Sequence, residues 1–342
     1  MKHYKLQEIL IYDIMQLIKC RDIIEANTFR KKIMSNTYEV IIVGGSFAGL
    51  SAAMQLSRAR RRVLLVDAGQ PRNRFAAHSH GFFGQDGKTP HDIAQIGWAQ
   101  LEKYPRFEWR DGVVQTAVRL PENSIEQRFS ATLADGTQFY SARLVLAMGV
   151  RDELPAIPGL QERWGATVLH CPYCHGYEVA DQAIGVLANN PMSTHQGLLL
   201  PDWGPTTYFT QGTFEPDAAQ AAMLAKRGVP IERSPIVAVI GTAPSIEAVQ
   251  LADGRTVPLA AIFTAPKTHL VSTLAQQLGC ELEAGPTGPY IRVNEMKQTS
   301  VEGVFAAGDA ASPMPNAMIA AAAGTMAGSA AHGTLVMARL AV

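Results

Sequence analysis

The chain has 342 residues, and its 30 basic and 30 acidic side chains give a formal net charge of zero at pH 7. A nucleic-acid-binding protein would normally carry a basic excess, and no stretch approaches the roughly 18 uninterrupted apolar residues of a membrane-spanning helix. Four cysteines are too few for a secreted disulfide scaffold. These features favour a cytoplasmic protein with neither nucleic acid nor membrane as partner, long enough for two domains.

Residues 1–37 form an N-terminal extension that differs in pattern from the rest of the chain. The stretch LQEILIYDIMQLIKCRDIIEA has helix-like apolar spacing, but Asp13, Gln16 and Lys19 interrupt it, and no small-residue cleavage site comes after it. A signal peptide is therefore not expected. Residues 1–33 could be a docking or surface helix, or a segment that the chemistry does not need, and Met34 could itself be a start codon. We favour the second interpretation.

The stretch YEVIIVGGSFAGLSAAMQLSRARRRVLLVDAG predicts a strand, a glycine-rich turn, a helix and a second strand. The strands are expected at Tyr38–Val43 and Val63–Asp67, the turn at Gly44–Gly49 and the helix at Leu50–Arg60. This order is typical of the βαβ unit that binds a dinucleotide.

Within this unit the turn is predicted to bind a pyrophosphate. Gly44 permits the tight turn, Gly49 permits close packing of helix on strand, and the helix N-terminus offers free N–H groups. Asp67, 18 residues beyond Gly49, can bind ribose hydroxyls. Ser46 replaces the second glycine of the fingerprint and is small enough to keep the backbone near a phosphate. The predicted contacts of the turn are Gly44, Gly45, Ser46, Ala48 and Gly49.

A second motif lies near the C-terminus, where a strand predicted at Val304–Ala307 ends in Gly308–Asp309. A small-residue helix comes next, from about Pro315 to Leu335. By itself Gly308–Asp309 could be a plain β-turn. With the N-terminal fingerprint, however, the sequence resembles the thioredoxin-reductase-like flavoproteins over roughly residues 38–342. This resemblance implies an α/β fold of two dinucleotide-binding, Rossmann-like domains that carry FAD and pair as a homodimer.

The resemblance also implies particular flavin contacts. Asp309 would hold the ribitol chain, and the backbone at Asn316–Ala317 would face one edge of the flavin ring. The segment Leu144–Val150 resembles the crossing strand of that family and the A-T-G that ends it, with Gly149 as the glycine and Met148 where threonine is usual. Arg72 and Asn73, in the loop after Asp67, are further candidate FAD contacts.

Because the two flavin motifs bracket the middle of the chain, we expect an inserted domain. The predicted FAD domain comprises residues 38–152 and 269–342, and the inserted domain comprises residues 153–268.

The inserted domain begins near HCPYCHGYEV, in which Cys171 and Cys174 are followed by His175. Such a pattern could be a redox dithiol, half of a zinc site or a haem attachment sequence. Zinc would need a second ligand pair that the chain lacks, and haem would be redundant beside a flavin in a chain without an export signal. We therefore interpret the pair as a redox dithiol and predict no metal site.

The resemblance assigns roles to these residues. Cys174 would face the flavin ring, and Cys171 would exchange with substrate. The reductases usually carry aspartate after the second cysteine, whereas this chain has His175, whose pKa suits proton transfer near neutrality. His175 is the predicted acid/base, although it could merely cap or pack. His195 is a weaker candidate base.

The inserted domain lacks the features of an NADPH site. After a strand predicted at Ala183–Leu187, the turn Ala188–Ser193 contains no glycine and is interrupted by Pro191. Neither the next predicted strand, Thr206–Phe214, nor any other position from Gly165 to Ala225 carries lysine or arginine. The sequence therefore predicts a vestigial NADPH site.

Within the resemblance, a C-x-x-C-H motif beside a degenerate NADPH site is typical of the dithiol oxidases that close gliotoxin, holomycin and romidepsin-type disulfides. Electrons would pass from a small-molecule or peptide dithiol to Cys171–Cys174, to FAD and to O2, releasing H2O2. The side chains that could line an apolar substrate pocket, or equally belong to the core, are Phe82, Phe83, Tyr173, Trp203 and Met314.

Two other functions stay open. One is a reductase that takes electrons from ferredoxin or a pyridine nucleotide and passes them to thioredoxin. The other is a non-catalytic flavin redox sensor. For an oxidase, the sequence leaves open whether the role is biosynthesis or detoxification.

Overall fold

The structure, a computed structural model, describes residues 36–121 and 126–340. Its strands are β1 (Thr37–Val43), β2 (Val63–Asp67), β3 (Phe107–Asp111), β4 (Val114–Arg119), β5 (Phe129–Leu133), β6 (Gln138–Leu146), β7 (Val150–Glu153), β8 (Val168–Leu169), β9 (Ile184–Leu187), β10 (Thr206–Phe209), β11 (Ile231–Glu232), β12 (Ile236–Ile240), β13 (Ala248–Leu251), β14 (Thr256–Pro258), β15 (Ala261–Thr264), β16 (Lys267–Leu270), β17 (Leu282–Ala284), β18 (Pro289–Ile291) and β19 (Val304–Ala306). Its α-helices are α1 (Phe47–Arg58), α2 (Pro90–Leu101), α3 (Pro172–His175), α4 (Met192–Leu199), α5 (Ala218–Lys226), α6 (Leu274–Gln277) and α7 (Ala317–Leu340).

The larger sheet has seven strands, in the order β3-β2-β1-β6-β5-β4, with β19 also paired to β6. Strands β1, β2, β6 and β19 run parallel, and most of their residues are buried, as expected of a sheet covered on both faces. The pairing of Val304 with Leu144 returns the C-terminal motif to the N-terminal sheet. The predicted βαβ unit and the α/β fold are confirmed.

Helices α1 and α7 cross at very short range on one face of this sheet. A Cβ added to Gly324 would lie 2.0 Å from the carbonyl oxygen of Ala48, and one added to Gly328 would lie 2.6 Å from that of Ala52. The small residues that the sequence places in its last helix therefore allow backbone to approach backbone. This contact holds the helix of the first motif against the helix of the second.

A second, five-stranded parallel sheet has the order β11-β10-β9-β15-β8, and β12, β13 and β14 form an antiparallel sheet beside it. The chain passes between the two large sheets through a two-stranded antiparallel ribbon of β7 and β16, in which Asp152 faces Thr268. The domain boundaries predicted at residues 152/153 and 268/269 fall within this ribbon, and they stay predictions.

Several predicted elements differ from the observed ones. The strand predicted to continue to Phe214 ends at Phe209, because Gln211 and Gly212 take positive φ values of 55° and 64° and turn the chain. The crossing segment is two strands, because Gly149, with φ of 71°, separates β6 from β7. Helix α7 begins at Ala317 and continues to Leu340, beyond the predicted end.

Membrane-spanning helices and metal-binding clusters were sought among the described residues. Within residues 36–121 and 126–340, no helix is both long and apolar enough to cross a membrane. The same ranges contain no cluster of three or more histidine, cysteine, aspartate or glutamate side chains suited to a metal ion. The helical pattern predicted for residues 1–33 lies outside the described residues.

Candidate active site

The dithiol lies at the carboxyl end of β8, the edge strand of the second sheet. Cys171 and Cys174 are joined by a disulfide, with Cα atoms 5.3 Å apart. Cys171 is the N-cap of the short helix α3, and Pro172 occupies its first position, where a missing N–H costs nothing. Both cysteines are half-buried, so the pair is placed to meet a partner from solution.

Two exposed tyrosines belong to the same segment as the dithiol. Tyr173 and Tyr177 are 72% and 82% exposed, which is unusual for rings of this size. The Tyr173 ring lies edge-on to Trp203, with centroids 5.7 Å apart. A Cβ on Gly176 would come within 2.8 Å of the Trp203 ring, so this glycine lets the tryptophan support the dithiol turn.

The other predicted pocket residues have different surroundings. Phe82 is half-buried against the core of the larger sheet, with its ring 5.3 Å from that of Phe47. This contact supports the core interpretation for Phe82. Phe83 and Met314 are exposed, at 88% and 65%.

His175, directly after the second cysteine, has the electrostatics of a base. Its side chain is half-buried, and this desolvation lowers its pKa below the usual value near 6.5. The Glu178 carboxylate acts in the opposite direction, and His80 adds to the lowering. Glu178 also lies 3.3 Å from His80, measured between Oε1 and Nε2. A neutral imidazole beside the dithiol can accept a proton from a thiol.

His170, directly before the first cysteine, is a residue that the sequence reasoning missed. Desolvation lowers its pKa to about 3, with smaller contributions from the charges of Arg72 and His175. Its carbonyl accepts a hydrogen bond of 2.8 Å from Gln196 Nε2, and its ring lies 5.8 Å from that of Trp164. The only signal for it in the sequence is its position beside the dithiol.

Helix α4 shows why Gln196, and not His195, belongs to this site. His195, the second candidate base, is exposed, whereas Gln196 is buried and donates to the carbonyl of His170, the residue before the dithiol. The sequence could not distinguish the two, because they are neighbours on a helix whose orientation depends on packing.

The predicted pyrophosphate turn is shaped by its glycines. Gly44 has φ of 105°, and a Cβ there would lie 2.3 Å from the Ala147 carbonyl oxygen. A Cβ on Gly49 would lie 1.8 Å from the Gly44 oxygen. Ser46 is the N-cap of α1 and makes no side-chain hydrogen bond to the helix, so its oxygen does not cap the first N–H groups. The Gly45 N–H donates to Asp67 Oδ1 at 2.9 Å, which places the acid beside the turn.

The second motif meets the first at Gly308 and Asp309. Gly308 has φ of 73°, and a Cβ there would lie 2.9 Å from that of Ala48 in α1. The Asp309 carboxylate accepts a hydrogen bond of 2.9 Å from Arg72 Nη1, across 237 positions of sequence. Arg72 is thus held beside the acid of the second motif.

The remaining predicted flavin contacts lie at chain turns around these motifs. Asn316 caps α7, because its Oδ1 accepts the N–H groups of Met318 and Ile319, and Ala317 is the first helical residue. Asn73 is half-buried in the 3-10 turn after β2, and Gly149 is half-buried where the chain leaves β6.

Comparison with known proteins is consistent with this arrangement. The sequence model of the pyridine nucleotide-disulphide oxidoreductase family matches residues 38–187 and 209–327 of this chain. The chain belongs to this family.

Individual relatives cover most of the chain. It is 50% identical to an oxidoreductase structure from Agrobacterium tumefaciens, with a TM-score of 0.82 over 88% of this chain and 99% of that one. The crystal structure of HlmI is 36% identical, also with a TM-score of 0.82, over 89% and 94% of the two chains. The thioredoxin reductase sirT of Leptosphaeria maculans is 30% identical over 85% of this chain and 92% of its own.

Pyridine nucleotide-disulphide oxidoreductases are flavin-dependent, and the residues of this chain fit such a group. A Cβ on Gly44 or Gly49 would meet a backbone carbonyl oxygen, so the two glycines allow the tight turn, and the side chain of the α1 N-cap leaves the first N–H groups uncapped. Free helix N–H groups are what a pyrophosphate binds. Asp67 and Asp309 supply carboxylates at the ends of β2 and β19, where the ribose and ribitol hydroxyls of FAD would be held.

The corresponding turn in the second sheet is built differently. Asn190 Oδ1 accepts the N–H of Met192 at 2.9 Å, and the Asn190 carbonyl oxygen accepts the N–H of Ser193 at 3.0 Å. Ser193 Oγ accepts the N–H of Asn189 at 3.1 Å. The chain itself therefore satisfies the N–H groups at the start of α4.

Proposed function

We propose that this chain is an FAD-dependent dithiol oxidase that forms a disulfide in a small-molecule or peptide natural product. The observation that carries the proposal is the turn between β9 and α4, whose N–H groups are hydrogen-bonded within the chain. Two further features support the proposal, namely the Cys171–Cys174 dithiol and a site whose residues fit a flavin.

The β9–α4 turn disfavours a bound pyridine nucleotide for two physical reasons. A nucleotide phosphate would have to replace hydrogen bonds to Asn190 and Ser193, whereas the Ser46 turn has no such side-chain cap. No lysine or arginine lies between Gly165 and Ala225 to compensate the phosphate charge. Electrons from a thiol substrate need neither feature, so the dithiol is the favoured point of entry.

In the proposed reaction, a substrate thiolate attacks Cys171, and the Cys171–Cys174 bond breaks to release the Cys174 thiolate. The second substrate thiol then attacks the substrate sulfur of the mixed disulfide, which frees Cys171 and closes the substrate disulfide. Two thiol protons are released, and neutral His175 accepts the first of them. When bound, FAD would take the electron pair from the reduced cysteines and pass it to O2, giving H2O2.

The exposed rings of Tyr173 and Tyr177 support a substrate that offers apolar surface to the dithiol, as a cyclic peptide or a heterocycle would. The resemblance of the C-x-x-C-H motif to that of the gliotoxin and holomycin oxidases supports the same direction of reaction.

A second candidate is a thioredoxin-type disulfide reductase that uses ferredoxin or a pyridine nucleotide. The names of several relatives favour it, among them the thioredoxin reductase tcpT of Claviceps purpurea, 30% identical over 88% of this chain. In that case electrons would leave through Cys171–Cys174 instead of entering there.

Anaerobic reduction of the purified flavoprotein separates the two candidates. We expect excess NADPH to leave the visible flavin band unchanged, dithiothreitol to bleach it, and air to restore it with release of peroxide. Cys174→Ser should abolish bleaching, and Cys171→Ser should stop turnover. Cys280→Ser serves as control, because that buried thiol bonds to Thr299 away from the dithiol. Rapid bleaching by micromolar NADPH would replace the oxidase with the reductase.

A further inference from the structure

Arg72 joins three parts of the molecule that are far apart in sequence. It lies in the loop after β2, its Nη1 donates to Asp309 of the second flavin motif, and its Nε and Nη2 donate to Asp152 in β7. The bonds to Asp152 are 2.8 and 2.6 Å and that to Asp309 is 2.9 Å. Side-chain exposure is only 14% for Arg72 and 6% for Asp152, so solvent screens the pair little.

The guanidinium geometry makes this arrangement specific. Arginine presents donors in a rigid plane, so its two-pronged bond to Asp152 determines where Nη1 points, which is at Asp309. A lysine ammonium is a single point charge and cannot hold both carboxylates in fixed directions. Desolvation by burial acts to lower the pKa of Arg72, but the carboxylates of Asp152 and Asp309 together outweigh it and raise the pKa above its ordinary value.

Asp152 is not part of either flavin motif. It lies in the ribbon of β7 and β16, through which the chain enters and leaves the second sheet. The Arg72 charge also reaches the dithiol end of that sheet, where it contributes to the lowered pKa of His170. Arg72 therefore connects the acid of the second flavin motif with the ribbon through which the chain enters the sheet that carries the dithiol.

We propose that Arg72 is a positioning residue that aims the Asp309 carboxylate at the cofactor, and that Asp152 determines its orientation. FAD affinity then depends on Asp152 through Arg72 and Asp309. Without Asp152, the freed donors of Arg72 either turn onto Asp309 or leave it, and in both cases Asp309 offers the ribitol hydroxyls a poorer acceptor.

The test is FAD binding to the full-length apoprotein, followed by quenching of flavin fluorescence, without thiol or nicotinamide. We expect Asp152→Asn and Arg72→Lys each to weaken FAD binding by roughly 10- to 100-fold, the range for a lost charge-assisted hydrogen bond. Two neighbouring variants serve as controls. Arg74→Lys alters an exposed arginine of the same turn, and Glu153→Gln alters the ribbon carboxylate paired with His269, so both should bind FAD like the wild type.

A thermodynamic cycle distinguishes positioning from general damage to the ribbon. In an Asp309→Asn background, Asp152→Asn should cause no further loss of FAD affinity, because it acts through the missing carboxylate. Thermal melting of each apoprotein identifies any variant that fails to fold. If Asp152→Asn is such a variant, the FAD affinity of Arg72→Lys tests the proposal in its place. Wild-type affinity in Asp152→Asn, equal losses in Glu153→Gln, or full additivity with Asp309→Asn would overturn the proposal. Because no electron donor is used, none of these outcomes depends on whether the enzyme is an oxidase or a reductase.

Discussion

The contact between α1 and α7 leads to a sharp prediction about Gly324. Replacing Gly324 with alanine adds a Cβ that would lie 2.0 Å from the Ala48 carbonyl oxygen, a distance that must open beyond 3.0 Å. The obstacle is backbone, so no side-chain rotation can relieve it. The two helices must separate by at least about 1 Å, and the packing around both flavin motifs must loosen with them.

Two opposing effects determine how much Gly324→Ala changes the free energy of unfolding. Glycine to alanine in a helix interior is intrinsically worth about 1 kcal/mol in favour of folding. Overpacking a tight core contact costs typically 1–3 kcal/mol, and a backbone obstacle belongs at the upper end. We therefore expect Gly324→Ala to lower the free energy of unfolding by about 2 kcal/mol.

Gly333 on the same helix supplies the matched control. It is exposed, and a Cβ there would meet no atom within 4 Å. Gly333→Ala should therefore raise the free energy of unfolding by up to about 1 kcal/mol. Urea unfolding of both variants, followed by circular dichroism, measures the difference, and flavin content after gel filtration reports the looser site. Equal stabilities of the two variants would refute the close-crossing argument.

Three further predictions concern single groups of the site. Asp309→Ala should leave mostly colourless apoprotein by absorbance, whereas a wild type without FAD would contradict the cofactor assignment. His175→Ala should slow anaerobic flavin reduction by dithiothreitol by ~10²–10⁴-fold near neutral pH. This deficit should shrink above about pH 9 in stopped-flow traces, because thiols then ionise without a base; a deficit independent of pH would leave His175 a packing residue. The pKa of His170 is about 3 in the folded protein and near 6.5 when unfolded, so the unfolded chain binds more protons between these values. Stability should therefore rise with pH from about 3 to 6.5 and then level off, and the urea midpoints of His170→Gln should show a weaker rise.

Structural features that depend on residues close together in the chain could be predicted from the sequence. The first βαβ unit is indicated by an apolar run, a glycine-rich turn and an acid within 30 positions, and its strand at Val63–Asp67 was predicted to the residue. The dithiol and the second flavin motif are equally local. The sequence did not predict the ends of strands that depend on the backbone of one residue, as at Gln211 and Gly149. A positive φ at a non-glycine position, or a break between two consecutive strands, has no distinct sequence pattern.

The tertiary structure alone decided which distant residues meet. Arg72 reaches Asp152 and Asp309 across 80 and 237 positions, and any of the chain's arginines could have paired with its acids on charge alone. These three side chains come from the turn after β2, from β7 and from the segment after β19, which lie together once β2 pairs with β1, β19 with β6 and β7 with β16. The lowered pKa of His170 likewise depends on desolvation by residues from other elements, and the choice of Gln196 over His195 depends on which side of α4 faces the sheet. Sequence spacing specifies local geometry, whereas burial and long-range charge pairing exist only once the sheets have formed.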